Sequence, residues 1–201
     1  MDMQSTLDAP TKPENPTKVK ILDVAEQAII EHGYKSMSFR DVAAAVGIKS
    51  ASVHYHFPTK GDLATAVMRR HRETFEQGLK LPKKKRQAAQ KALNKFIDAM
   101  AKETVKQDVL GLSTVLTAEK SLLDEATQAE LTAFYELKMD WLSTVVSYMK
   151  KDWMPTEEAR AYASQILASL HGATVVACAT GKAEEFELAV APWRTLVDRM
   201  G

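Results

Sequence analysis

The sequence predicts an all-α protein. A three-helix N-terminal unit of helix-turn-helix form is joined by a long fourth helix to a larger C-terminal helical unit. Two observations carry this. Apolar residues recur at three- and four-residue steps along most of the chain, while alternating β-branched runs are few. Near the N-terminus, capping pairs and glycines mark out helices too short for a generous core of their own, so they must lean on the long fourth helix. A length of 201 residues suits two small helical domains better than one large core.

Residues 1–16 are polar and dotted with proline and are expected to form a disordered tail. Thr17 is placed to cap a first helix from about Lys18 to His32, buried through Ile21, Leu22, Ala25, Ala28 and Ile29 and ended by Gly33. Ser38 and Asp41 form an S-x-x-D capping box that opens a short second helix stopping at Gly47. A third short helix runs from about Lys49 to His56, and Pro58 ends it. The turn Val46-Gly47-Ile48 permits the sharp reversal of a helix-turn-helix. On the third helix Val53 and Phe57 are four apart and face inward with Ile48, leaving Ser50, Ala51, His54 and Tyr55 outward. Small residues beside hydroxyl and imidazole groups suit close approach to a DNA groove.

Thr59 and Asp62 make a second capping box and start the long fourth helix to about Leu79, with Leu63, Val67, Met68, His71 and Phe75 on its apolar face. The boundaries expected are therefore 17–62 for the helix-turn-helix unit and 63–201 for the rest. After Leu81-Pro82 a fifth helix carries Leu93, Phe96, Ile97 and Met100, and a weaker segment comes next, from Val109 to Ala118. A long helix from about Asp124 to Lys150 is apolar on more than one stripe and should be buried on more than one side. Another starts at Pro155-Thr156 and ends at Gly181. The last runs from Ala183 to Met200, with Pro192 inside it to kink or restart it.

Net charge is +1, but Arg69, Arg70, Arg72, Lys80, Lys83, Lys84, Lys85 and Arg86 nearly monopolise one segment. A solvated helix end and loop is the preferred reading of that run, and a phosphate-facing patch the alternative. No membrane span and no secretory leader are expected. With the lone Cys178, this favours the cytoplasm. No phosphate-cradling glycine loop, nucleophile elbow or metal-spaced histidine pair occurs, so no enzyme activity, cofactor or metal is expected. A packed, inert thiol is preferred over a redox sensor for Cys178, and a satisfied core or interface group over a sensor for His171.

Here the sequence resembles the tetracycline-repressor-type (TetR-type) regulators, over about Ile21 to Leu63. The resemblance rests on Ile21-Leu22 with Ala25, Gly33-Tyr34, Ser38, Val42-Ala43 and Val46-Gly47-Ile48. Above all it rests on the run Ser52-Val53-His54-Tyr55-His56-Phe57-Pro58-Thr59-Lys60. Lys49, where that family often has a hydroxyl cap, and His54, where tyrosine is commoner, depart from it. The resemblance implies a double-stranded DNA operator. Ser50 and Ala51 would lie at base edges, and Arg40 within reach of a base or phosphate. Ser52, His54, Tyr55 and Lys60 would contact the backbone, with Lys49 beside them.

It also implies that the C-terminal unit binds a small effector and dimerises, making the protein a repressor that releases a palindromic operator. An architectural DNA binder without an effector site is the alternative, and a small helical enzyme a remoter one. Ser169, Ala173 and Ala177, with Ala168 and Gly172 alongside, form a small-residue row. Phe186, Val190, Trp193 and Val197 of the last helix could pack on it across a homodimer; the alternative is that both helices close a monomer core. Phe96, Met100, Leu116, Tyr135, Met139 and Trp141 are candidate pocket residues for a largely apolar effector, and equally ordinary core residues. No buried charge stands out to name a ligand class.

Overall fold

A computed structural model describes residues 15–200, and every regular element among them is helical. In order these are α1 (Pro16–Ser36), α2 (Phe39–Val46), α3 (Ser50–His56), α4 (Lys60–Gly78), α5 (Arg86–Glu103), α6 (Leu112–Ala118), α7 (Glu125–Ser147), α8 (Thr156–Thr180), α9 (Ala183–Arg194) and α10 (Leu196–Arg199). Most of the expected tail lies outside the described residues, but its last two residues belong to the fold. The Asn15 side chain accepts the N–H groups of Thr17 at 2.9 Å and Lys18 at 3.3 Å, with Pro16 in the first turn. The cap is thus Asn15 and not Thr17. Asparagine caps at least as well, and proline at the first helical position has no N–H to orphan.

Of the two expected capping boxes, the one at Thr59 closes fully, whereas at Ser38 only the half from its side chain forms. Asp41 N–H donates to the Ser38 hydroxyl, and Thr59 and Asp62 satisfy each other's backbone reciprocally. Gly47 ends α2 in the left-handed region at φ 78°. Gly33 does not simply stop α1: at φ 81° and ψ 158° it kinks the chain, and one more turn continues to Ser36. That combination is open to glycine almost alone. The C-terminal stretch divides into α9 and α10 at Thr195, while Pro192, where the sequence predicts a kink or restart, is carried inside the last turn of α9. Backbone groups around the break are held by α5: the Gln90 amide donates to the Trp193 carbonyl and accepts from Val197 N–H.

Two apolar cores result. The first joins α1 to α4 with Leu112 and Leu116 of α6, Leu123, and Leu131 and Phe134 of α7. The second joins α5 to α7, α8, α9 and α10, and Phe75 and Tyr135 touch both. The expected boundary after residue 62 therefore falls inside a packed core, because the first turns of α4 bury Leu63, Ala64, Val67 and Met68 against α1. Helix α8 is long and apolar enough, by length and composition, to cross a membrane. Here it packs between α7 and α9 and buries Ala163, Ile166, Leu167, Leu170, Ala173 and Ala177 in the second core.

Candidate nucleic-acid interface and effector cavity

Helix α3 is fixed from inside by Val53 and Phe57, both buried, and from outside by very little. Tyr55 is 85% exposed, and Lys49, Ala51 and His54 are also exposed, while Ser50 and Ser52 are half-buried. Lys49 precedes α3 as an N-cap without an acceptor, so the first turn of α3 has no side-chain cap bond, and the Lys49 side chain is exposed. Arg40 extends from the start of α2, and among the described residues its one ion-pair partner is Asp41, at 3.7 Å. Two other expected contacts are partly engaged already. The His54 ring stands edge-on to Phe39, with Nδ1 3.4 Å from the Pro58 carbonyl. Lys60 Nζ donates to the Lys35 carbonyl at 3.0 Å and lies 4.5 Å from the centre of the Tyr34 ring. Burial pulls the Lys60 ammonium below its ordinary range, against the opposing pull of Glu119. Lys49, Ala51 and Tyr55 are thus the freest of the α3 side chains named from sequence.

The helix-turn-helix is clamped to the C-terminal unit at two points. Glu119, just past α6, accepts the N–H groups of Tyr34 and Lys35 immediately after the Gly33 kink. A Cβ at Gly33 would press on the same carboxylate. The second clamp joins the start of α4 to that of α7, where Thr65 and Thr127 share a buried hydroxyl pair at 2.8 Å. Gly61 lies so close to Asp124 that a Cβ has no room.

The cationic run does not form a phosphate patch. Arg69 and Arg72 both bind Glu130, at 2.6 and 2.9 Å, and Arg70 binds Asp23 and Glu26, at 2.6 and 2.8 Å. Arg86 donates to the carbonyls of Met149, Val197 and Met200, satisfying helix-end acceptors. What remains is Lys80, Lys83, Lys84 and Lys85 in the solvated loop before α5.

A cavity of about 1440 Å³ runs between the two units. Of the six pocket residues named from sequence, Phe96, Met100 and Trp141 line it, the first and last stacked at 5.2 Å. The other three do not. Leu116 is fully buried in the first core, Met139 packs on the second, and Tyr135 turns its hydroxyl to Thr117 at 3.3 Å. The rest of the wall comes from residues the sequence did not single out for a pocket, including Phe75, Phe134, Lys138 and His171. No buried charge stands out in the sequence to name a ligand class, but Lys138 is one: it is 7% exposed and ringed by aromatic faces. Its register was a usable signal, since it lies four residues from both Phe134 and Leu142 on the buried stripe of α7. Burial, helped by the Lys138 charge, lowers the His171 pKa to about 4, so it is neutral at pH 7. Burial, with Asp108, pushes the Cys178 thiol up, which favours the packed reading over a reactive one.

The small-residue row on α8 needs correction. Ala173 is 5% exposed, and Ala177, Phe186, Val190 and Val197 are buried with it in the chain's own core. Trp193 packs against that core, and of the row Ser169, half-exposed, and the edge of Ala173 reach the outer groove. The face α8 and α9 turn outward is the adjacent one: Ala168, Gly172, Val175, Val176 and Leu188, the last 69% exposed. A groove of about 580 Å³ runs along it between the two helices. Tertiary packing chose which of two neighbouring apolar stripes faces the core.

Residues 21–67 match the profile of the bacterial regulatory proteins of the tetR family. Over the whole fold, the chain is similar to a TetR transcriptional regulator from Legionella pneumophila, at 29% identity and a TM-score of 0.75, covering 94% of this chain and 98% of that one. It is also similar to a TetR-family regulator from Agrobacterium tumefaciens, at 28% identity and a TM-score of 0.76, covering 91% and 96%. A 70-residue stretch is 30% identical to the HTH-type transcriptional repressor KstR2 of Rhodococcus jostii (strain RHA1), spanning 31% of this chain and 34% of that relative's length.

Proposed function

As a member of the TetR family of DNA-binding transcriptional regulators, the chain is one that we propose acts as a homodimeric repressor, releasing a palindromic operator when a small molecule occupies the cavity. The observation that carries this is the shared wall. His71 and Phe75 line the cavity from α4, the helix whose first turns build the DNA-binding core. A ligand that spreads α4 from α5 and α7 must tilt α4, and α3 moves with it. The clamps at Glu119 and Gly61 join the same motion to α6 and α7. A ligand shifts the equilibrium only by its differential affinity for the two arrangements, and a cavity bounded by the moving helix supplies that difference.

At the DNA, Ala51 and Ser50 meet base edges, and Tyr55, Lys49, Ser52 and Arg40 meet phosphates. His54 and Lys60 hold the local fold while offering their remaining donors. Two α3 helices then enter successive major grooves about 34–36 Å apart, which requires a two-fold dimer. The outward apolar face of α8 and α9 is the surface for that pairing, because exposed Val175, Val176 and Leu188 make a contiguous patch on small neighbours. The repressor sense follows the partly matching Rhodococcus relative, an HTH-type transcriptional repressor, and the site of action is the cytoplasm.

A footprint on the DNA flanking the gene, with and without metabolites from cell extract, tests the reading. A protected two-fold site lost on adding metabolites supports it. A site insensitive to every fraction would show an effector-independent binder, and no protected site would remove the DNA-binding reading.

A further inference from the structure

Resting on the effector reading, two groups in the cavity narrow what the effector can be. Lys138 Nζ lies 4.1 Å from the centre of the Phe134 ring, 5.4 Å from that of Phe75 and 5.8 Å from that of Tyr135. Among the described residues no hydrogen-bond acceptor or carboxylate reaches it; Glu103 at the exposed end of α5 acts on it only through space. Across the same cavity His171 places Nδ1 3.2 Å from the Thr114 hydroxyl, and its Nε2 is buried with no partner. When the Thr114 hydroxyl donates to Nδ1, Nε2 carries the hydrogen and becomes a second donor. A buried ammonium and a buried imidazole N–H without acceptors are each costly. Ring faces compensate the ammonium in part, and the imidazole meets only the tilted Tyr135 ring, at 5.4 Å, which supplies no acceptor oxygen to Nε2.

Of the other carboxylates along the cavity, Glu103 acts on Lys138 through space alone, and Glu31 accepts from the Gln27 amide at 2.6 Å. Glu26 and Asp23 are held by Arg70, with His71 also on Glu26 at 3.0 Å. Phe75, Phe96, Met100 and Trp141 supply an apolar surface. We propose that the effector is an amphipathic organic anion, its carboxylate seated on Lys138 Nζ and His171 Nε2 and its apolar body laid along Phe75, Phe96, Met100 and Trp141. Burial brings the Lys138 pKa down to about 8, which still leaves the amine mostly protonated at pH 7.

The environment-sensitive probe 11-(dansylamino)undecanoate and its methyl ester share the apolar body and differ in the charge of the head group, which the ester's added methyl removes. In fluorescence titrations the acid should bind the wild-type protein at least roughly tenfold more tightly than the ester, the range of a charge-assisted hydrogen bond. Lys138→Met should abolish that preference by weakening the acid and sparing the ester, and His171→Phe should reduce it. If wild type binds acid and ester equally, the anion site is wrong and the effector reading stands, a comparison that needs no variant to fold. An equal loss of both probes in Lys138→Met would likewise overturn the anion site. Binding of neither probe would overturn both readings.

Discussion

Replacing Lys138 by methionine should stabilise the protein at neutral pH, and the gain should vanish as the solution becomes alkaline. The side chain is 7% exposed, and burial lowers its pKa from 10.5 to about 8, with Glu103 opposing from the end of α5. At about 1.4 kcal/mol per decade, that fall corresponds to about 3 kcal/mol of destabilisation by the charged form. Contact with the faces of Phe134, Phe75 and Tyr135 returns up to about 2 kcal/mol when desolvated. The Lys138→Met variant should therefore gain about 1–3 kcal/mol at pH 7, since methionine fills a similar volume with no charge to desolvate. For a chain of this length that is an increase of roughly 2–10 °C in Tm.

The sign comes from proton binding. The unfolded chain holds the lysine proton up to about 10.5 and the folded chain only to about 8, so between those values unfolding takes up a proton. Wild-type stability must rise with pH across that window. Its deficit relative to the variant is complete below pH 8 and gone above about 10.5. Other titrating groups, His171 included, occur in both proteins and largely cancel in the difference. Thermal melts followed by circular dichroism at pH 7, 8, 9 and 10 measure it. A variant less stable than wild type at pH 7, or a difference flat with pH, would refute the placement of Lys138 as a buried, unpaired cation.

Tyr55→Phe should weaken operator binding by on the order of 1 kcal/mol at fixed salt with Tm unchanged, because the ring is exposed and only a donor is lost; equal affinity in a gel-shift titration would take Tyr55 off the DNA. Gly172→Arg should give a folded monomer that no longer binds the operator. The position faces open space within the chain, and helix propensity favours arginine there by roughly 1 kcal/mol, so only the outer face is perturbed; light scattering showing a mass of two chains would place the interface elsewhere. Ala173→Arg, one residue along, should instead unfold the second core, since Ala173 is buried there. Glu119→Ala should cost about 1–3 kcal/mol in denaturant unfolding by stripping the acceptor from the Tyr34 and Lys35 N–H groups; unchanged stability would mean that clamp contributes nothing.

The features legible in the sequence were those set within a few residues of themselves. Thr59 with Asp62 closes its box, and Ser38 caps the Asp41 N–H, within one turn, so their types and spacing suffice. Val53 and Phe57 share a face because they are four apart, which also left Ala51 and Tyr55 outward. Even locally, competition between neighbours can mislead: Asn15 displaced Thr17 as the cap, two residues earlier. Tertiary structure decided everything that depends on what lies opposite. Arg86 became a clasp for carbonyls 63, 111 and 114 residues away, where composition showed only one more cation in a run. On α8 two apolar stripes a residue apart were equivalent in sequence. Packing against α7 and α9 took Ala173 and Ala177 inward and left Gly172 and Val176 outside. Lys138 occupies a buried register of α7, yet only the aromatic rings converging from α4 and its own helix make a cavity around it. Periodicity assigns a side chain to a face of its own helix, whereas burial depends on the neighbour that face meets, and that neighbour comes from a distant part of the chain.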